Sequence, residues 1–430
     1  MLKLIKNSWA LFTGYGILII AHGLQGNLLG IRAEIENFNI IATGTMMSGY
    51  FVGYFVGAHM VPNLVSKVGH IRVFAAFASM ASFSILVHAV FVNPIVWTLA
   101  RFLTGFSIIG IFIIVESWLN DRANNRTRGK VLSIYMFITF AGLSLGTLLL
   151  NFNSPKNFEP FILISLLLSL ALVPILLAKR KPPKFKKTVG IKIKELYKIS
   201  PFGSFSMFST GFIHSTLFTL GAVYGAIMNF SILEISILLF LITATGALFQ
   251  FPIGYLSDRF DRRLVMIIIT FFASIFCFLS IISIGKTPEI MYLSIDWSSN
   301  KFIFFTFVAI YAGFALPLFS LNLAYVNDFI SKEKFVAAGA GLQMIFGLGA
   351  ICGPFLCTLF MTQLGANGFF IFLAIFHTAI GFFGIYRMTK RRTRENPDNT
   401  FTPLPRNITP AGIELDPDTG VNLANTEEKQ

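Results

Sequence analysis

The chain has 430 residues, 55% of them hydrophobic and only 13% charged, with a formal net charge of +14. That balance excludes an ordinary soluble globular protein, in which about a quarter of residues are charged. It also argues against a nucleic-acid role, because the basic residues are sorted into alternate loops between apolar stretches, a placement that membrane topology accounts for.

A helix needs about 20 apolar residues to cross about 30 Å of hydrocarbon. In chain order, residues 9–29, 41–61, 73–92, 95–119, 131–151 and 158–178 qualify, as do 202–228, 232–253, 264–285, 302–326, 335–361 and 367–387. Twelve membrane helices are therefore expected in an all-α integral membrane protein. Lys3 and Lys6 precede the first stretch, but no small-residue cleavage site ends it, so it reads as a retained helix and not as a secretory signal. Arg32, Lys156, Lys286 and Lys301 are the basic residues of one set of loops, and Arg101 lies within a stretch. Apart from Arg406 and Lys429, all the others fall in the alternate loops and the membrane-proximal tails. This positive-inside pattern places both termini in the cytoplasm of a multi-pass inner-membrane protein.

Four segments follow: a six-helix half over 1–178, a basic cytoplasmic linker over 179–200, a second six-helix half over 201–392, and a tail over 393–430. Pro182-Pro183 prevents a helix through the linker, which runs basic from Lys179 to Lys198. The second half repeats the first. An offset of 192 matches His22 to His214, Asn37-Phe38 to Asn229-Phe230 and Lys67 to Arg259. An offset of 207 matches Gly142 and Gly146 to Gly349 and Gly353, and Asn120-Asp121 to Asn327-Asp328. Parallel repeats of this kind build transporters with one site between the halves near the midplane. The tail carries Pro397, Pro403, Pro405, Pro410 and Pro417 with many acids and few large apolar residues, and is expected to be disordered.

Several residues carry chemistry. Arg101 is the only Lys or Arg well inside a stretch, and a charge at that depth costs at least about 2.5–3.5 kcal/mol on insertion scales. It reads either as a functional group or as a structural Arg satisfied by carbonyls. Glu116 lies about four turns on and about 22 Å away, on nearly the same face, so it is no direct partner; it reads as a cavity acid or as an interfacial one. His22 and His214 sit at matched mid-span positions, with Gln25 beside His22, and an imidazole there either carries a coupling proton or packs as a neutral group. Asn322 and Tyr325, with Tyr311, Phe314 and Trp118, are candidates to line an aromatic, mildly polar cavity. Gly49, Gly53 and Gly57 form a four-spaced ridge that predicts close helix packing. Cys277, Cys352 and Cys357 have no metal-ligand spacing, and neither a metal nor a cofactor is expected.

The loop Gly254-Tyr-Leu-Ser-Asp258-Arg259-Phe-Asp-Arg262-Arg263 resembles the G-x-x-x-D-R-x-G-R-R motif of the major facilitator superfamily, with Asp261 where the family usually has Gly. In the first-half copy, Ser66 stands in place of the acid beside Lys67, Gly69 and Arg72. Asp121 followed by Arg128-Gly129, Arg101-Phe-Leu-Thr-Gly105 and Gly349-x-x-x-Gly353-Pro354 resemble further elements of the family, although the Gly-Pro element is more usual on the fifth helix. Glu116-Ser-Trp-Leu-Asn120-Asp121 and Pro317-Leu-Phe-Ser-Leu are similar to its YcaD-like bacterial branch. The resemblance implies alternating access through a central site and no covalent catalysis. It implies a loop contact that helps to lock the halves outward-facing, for which an inner gate is proposed: Asp121 and Asp328 pair with Lys67 and Arg72 and with Arg259 and Arg262, and Arg128 and Asp258 belong to the same gate. The partners expected are a small organic solute, protons and membrane lipid, with the chain acting as a monomer. An amphiphile exporter and a non-transporting receptor on the same scaffold are the rival readings.

Overall fold

The computed structural model describes residues 2–124, 126–177, 190–284, 301–390 and 400–419. The helices are α1 Leu2–Ile35, α2 Ile40–Val68, α3 His70–Val90, α4 Pro94–Arg122, α5 Arg128–Leu148, α6 Glu159–Leu170 and α7 Leu172–Leu176. There follow α8 Ile193–Ile199, α9 Pro201–Ile227, α10 Ile232–Arg259, α11 Arg262–Ile284, α12 Lys301–Ala315, α13 Leu318–Asn327, α14 Phe335–Leu364, α15 Gly368–Lys390 and α16 Pro410–Ile413. No strand occurs among the described residues. The apolar stretches expected from hydropathy lie on these helices to within end residues. Nine stretches of the described chain are long and apolar enough to cross a membrane. Two expected stretches are interrupted. Pro174 denies a donor to the Leu170 carbonyl, where α6 ends, and Pro317 separates α12 from α13.

Local chemistry sets the ends of the helices. Asn37 and Asn229 are the positive-φ residues other than glycine among the described chain, at 54° and 56°. Each closes its helix in a Schellman turn: Phe38 N–H reaches the Ala33 carbonyl at 2.9 Å, and Phe230 N–H reaches the Gly225 carbonyl at 2.9 Å. The next helices begin on Asn39, which caps Ile41 N–H, and on Ser231, which forms a capping box with Glu234. The two matched Asn-Phe pairs are thus the same turn built twice.

Packing repeats in the same way. A Cβ at Gly142 or Gly146 would strike α1, and one at Gly349 or Gly353 would strike α9. The α5–α1 contact of the first half therefore recurs as the α14–α9 contact of the second. The ridge of Gly49, Gly53 and Gly57 lies on α4, where a Cβ at Gly53 would sit 1.9 Å from the Phe102 carbonyl oxygen. Between the halves, α2 meets α14, α5 meets α10 and α1 meets α9.

The bundle has a basic end, where α2 joins α3 and α10 joins α11, and a charge-poor end. At the charge-poor end the halves touch. A Cβ at Gly44 would strike Thr358, Phe355 N–H donates to Ser48 Oγ at 3.2 Å, and Asn151 Nδ2 donates to Ser236 Oγ at 2.9 Å. At the basic end the halves part. One crevice of about 430 Å³ opens between α2 and α14, and another of about 700 Å³ opens between α5 and α10.

Residues 400–419 fill the gap between those crevices, which corrects the expectation of disorder for that part of the tail. Leu404, Ile408, Thr409, Ile413, Leu415 and Asp416 are buried there. The remainder of the tail, and the linker from Lys179 to residue 189, lie outside the described residues. Beyond that point the linker packs on α14, with Ile191 N–H on the Ala337 carbonyl at 2.9 Å and Leu196 buried.

Candidate functional site

The tail segment is a closed loop that enters and leaves at the basic end. Its ends are tied where Thr400 N–H and Oγ1 donate to Asp418 Oδ2 at 2.9 and 2.7 Å, and where Thr402 Oγ1 donates to Asp416 Oδ1 at 3.0 Å. Irregular backbone at membrane depth is tolerated where protein satisfies its polar groups, and the loop meets that condition on both walls. On the second half, Phe401 N–H donates to Asp258 Oδ1 at 2.8 Å, and Leu404 N–H donates to Ser320 Oγ at 2.9 Å. Gln343 Nε2 donates to the Arg406 carbonyl at 3.1 Å. On the first half, Tyr54 OH donates to the Asn407 carbonyl at 2.9 Å. Asp416 lies at the basic end, outside the apolar stretches. Burial raises its carboxyl from an ordinary value of 3.8 to about 6, against the opposing hydrogen bonds from Asp418 N–H and Thr402.

Glu116 is the acid on which the first half meets the loop. It is 0% exposed, deep in α4. Tyr135 OH of α5 donates to Oε1 at 2.5 Å, and Thr409 donates to Oε2 through its N–H at 2.7 Å and also through its hydroxyl. Gly412 is packed so closely that a Cβ would lie 2.6 Å from the carboxylate. Behind Tyr135, Tyr15 stacks at 4.9 Å and shares a 2.8 Å hydrogen bond with Thr139. Glu116 is thus a fully buried acid whose two oxygens are taken up by Tyr135 and by Thr409 of the loop.

Deeper in, a cavity of about 50 Å³ lies between the halves. Its walls include His22, Asn27, Tyr50, Arg101, Phe218, Thr219, Thr243 and the loop-tip residue Arg406. Arg101 is 2% exposed, and its guanidinium lies over the Tyr50 ring at 4.6 Å. His22 Nε2 is 3.5 Å from Tyr50 OH. Gln25 turns aside to Thr104 Oγ1 at 3.4 Å. His214 donates through Nε2 to the Ala315 carbonyl at 3.1 Å, and its own carbonyl accepts Arg406 Nη1 at 3.2 Å.

The other expected residues disperse. Asn322 donates to Thr210 Oγ1 at 3.0 Å, while Tyr325 packs edge-on against Phe202 and Phe329. Tyr311 lies against His377, Phe314 against Phe249 and Phe272, and Trp118 against His70. The expected aromatic cavity built from these side chains is not formed, because each ring is used in packing within its own half.

The proposed gate is half assembled. Arg262 is buried and bridges Asp258 at 2.8 Å and Asp328 at 2.6 Å, with the Ala324 carbonyl at 3.1 Å. Arg259 instead lies over the Tyr255 ring at 4.1 Å. No ion pair joins Asp121 to Lys67 or Arg72 among the described residues, and all three are exposed. With Ser66 in place of an acid, that loop holds no carboxylate to gather cations, and His70 bonds Ser117 at 3.1 Å instead. Arg128 is buried near Glu414 of the loop, to which Asn120 Nδ2 also donates. Sequence reasoning missed Arg406, Thr409 and Glu414 because a short Pro-rich tail offers no periodic signal. Its scattered Leu404, Ile408, Ile413 and Leu415 were the available hint.

Known proteins share this design. The family model for the Major Facilitator Superfamily matches residues 11–288 and 203–417. The uncharacterized MFS-type transporter YcaD of Escherichia fergusonii is 23% identical over 366 residues, covering 85% of this chain and 91% of its own. YcaD of Escherichia coli is 23% identical over 368 residues, with the same coverage. Among solved structures, the nucleoside transporter NupG superposes with a TM-score of 0.73 at 14% identity, over 90% of this chain and 99% of NupG. A bacterial homologue of the human lysosomal transporter Spinster, in an inward-facing and unoccupied conformation, gives 0.65 at 14% identity, over 89% of this chain and 95% of its own. With the duplicated bundle, the central cavity and a family match spanning most of its length, the chain belongs to the Major Facilitator Superfamily, whose members are transporters and not enzymes.

Proposed function

We propose that the protein is a secondary transporter that moves a small organic solute across the inner membrane by alternating access, coupled to protons. In this reading the chain crosses the membrane twelve times, with the basic end and both termini in the cytoplasm, and works as a monomer. The observation that carries it is the small polar cavity walled by both halves, with Arg101 and His22 on one side and Thr219 and Thr243 on the other. Two half-bundles sealed at one end and parted at the other are the geometry of a rocker whose conformers differ by a few kcal/mol. Glu116, fully buried and held by Tyr135 and Thr409, supports proton coupling, because it is a titratable group at the contact between the first half and the loop. Arg262 with Asp258 and Asp328 braces the basic end of the second half. The test is flux in proteoliposomes under an imposed pH gradient across a broad solute panel. Gradient-dependent uptake or efflux is expected, and its absence across the panel sinks the coupling.

A second reading has its own support. The crevice between α5 and α10 is lined by Leu132, Met136, Phe137, Phe240, Leu248 and Phe251 and offers about 700 Å³ of largely apolar space. An amphiphile exporter would use such an opening from the lipid side.

A further inference from the structure

We propose that the central cavity is a binding site for a small carboxylate-sized anion, and that the tail loop completes it. Arg101 of α4 supplies one guanidinium and Arg406 of the loop the other, so that anion and loop bind as one unit. The inference rests on the transporter reading above and names the substrate class of its site.

The cavity holds two permanent cations and no acid. Arg101 and Arg406 are both among its walls, and no Asp or Glu is. The remaining polar side chains there, from His22, Asn27, Tyr50, Thr147, Thr219 and Thr243, are an imidazole, an amide and hydroxyls.

Arg101 is left with hydrogen-bonding capacity unused. Its Nε and Nη1 are buried and have no partner, and His22 Nδ1 beside it has none either. The Tyr50 face, at 4.6 Å, satisfies the charge in part but accepts none of those N–H groups. A buried guanidinium with idle donors is costly, and an anionic oxygen that accepts a charge-assisted hydrogen bond from one of them relieves it. Arg406 is held ready for the same ligand, over the Phe218 ring at 3.4 Å and anchored by one N–H to the His214 carbonyl at 3.2 Å.

Size narrows the class. About 50 Å³ is room for one or two waters, hence for a carboxylate group with little attached to it. Two facing cations repel a cationic solute outright. The loop is not a bystander, because Arg406 is at its tip and the residues around it are pinned through Asn407, Leu404 and Thr409. A ligand that bridges both arginines therefore tightens the loop, and a seated loop tightens the ligand by the same factor.

The test uses purified full-length protein in detergent with sodium acetate as probe, and acetamide and sodium gluconate as neutral and oversized controls. Acetate, and not the controls, should raise the melting temperature and slow amide exchange across 400–419. Arg406→Gln and truncation after residue 399 should each weaken acetate at least about tenfold, the step expected for losing one charge-assisted contact. Arg101→Gln should do likewise; the Arg406 variant leaves the bundle untouched and keeps the test valid if the Arg101 variant misfolds. Acetate binding that is unchanged by truncation, or that leaves exchange at 400–419 unaltered, overturns the proposal. Solute flux by a protein that ignores acetate sinks this inference alone, whereas acetate binding without any flux upholds it and sinks the transport reading.

Discussion

Glu116, fully buried in α4, accepts the main-chain N–H of Thr409 at 2.7 Å from a residue 293 positions further along the chain. That bond ties the tail loop to the interior of the helical bundle. Glu116→Gln keeps the shape and removes the charge, and charge-assisted hydrogen bonds contribute about 1.5–3 kcal/mol each. Amide exchange over 400–419 should quicken at least about tenfold, while exchange in α4 stays slow. Unchanged exchange in the loop would show that the carboxylate does not hold it.

Asp416 makes the docking pH-dependent. Its carboxyl sits at about 6 in the seated loop, through burial, and has an ordinary value of 3.8. The seated state binds the proton more tightly, so seating strengthens as pH falls through about 6 and weakens above it. After correction for intrinsic chemistry, loop exchange should be slower at pH 5 than at pH 7.5. Asp416→Asn should flatten that difference, with neighbouring Asp418 left in place.

Removing residues 400–430 should separate two kinetic effects. The loop fills the gap at the basic end, so its loss frees passage and should raise the maximal rate several-fold. It also takes away Arg406, so the KM for a carboxylate solute should rise about tenfold. A rate that falls with KM unchanged in reconstituted vesicles would contradict both expectations.

Arg262 ought to be the costliest charge to remove. It is buried between Asp258 and Asp328 at 2.8 and 2.6 Å. Truncation to Ala leaves Asp328, also buried, without that cation, a loss of about 3–5 kcal/mol. Asp121→Asn, at an exposed position, should stay within about 0.5 kcal/mol. Thermal unfolding in detergent measures both.

Glycines offer a paired control. A Cβ at Gly53 would lie 1.9 Å from the Phe102 carbonyl oxygen, whereas one at Gly26 meets nothing within 4 Å. Gly53→Ala must push α2 from α4 and should cost about 1–3 kcal/mol or more. Gly26→Ala should fold normally and affect only solute binding, since Gly26 lines the central cavity. Folded yield and binding distinguish the two.

Much of the architecture could be read from one dimension. Hydropathy located the helices because a span needs only a run of apolar residues. The matched Asn-Phe pairs marked one turn used twice, since a left-handed residue followed by an apolar one is a local requirement. The glycine ridges announced close packing because small residues four apart have few other uses there. Arg101 stood out by its charge alone.

Residue types along the chain thus settled the helical bundle, its duplication and the charge that marks its basic end, all of which follow from local composition and spacing. Three-dimensional packing alone settled which candidates meet. It drew Arg262 to Asp328, left Asp121 apart from Lys67, scattered the aromatic stripe, and seated a Pro-rich tail against Glu116 and beside Arg101. A segment too polar to fold alone becomes ordered when two helical walls supply its hydrogen bonds and its burial, and no stretch of the tail records where those walls will stand.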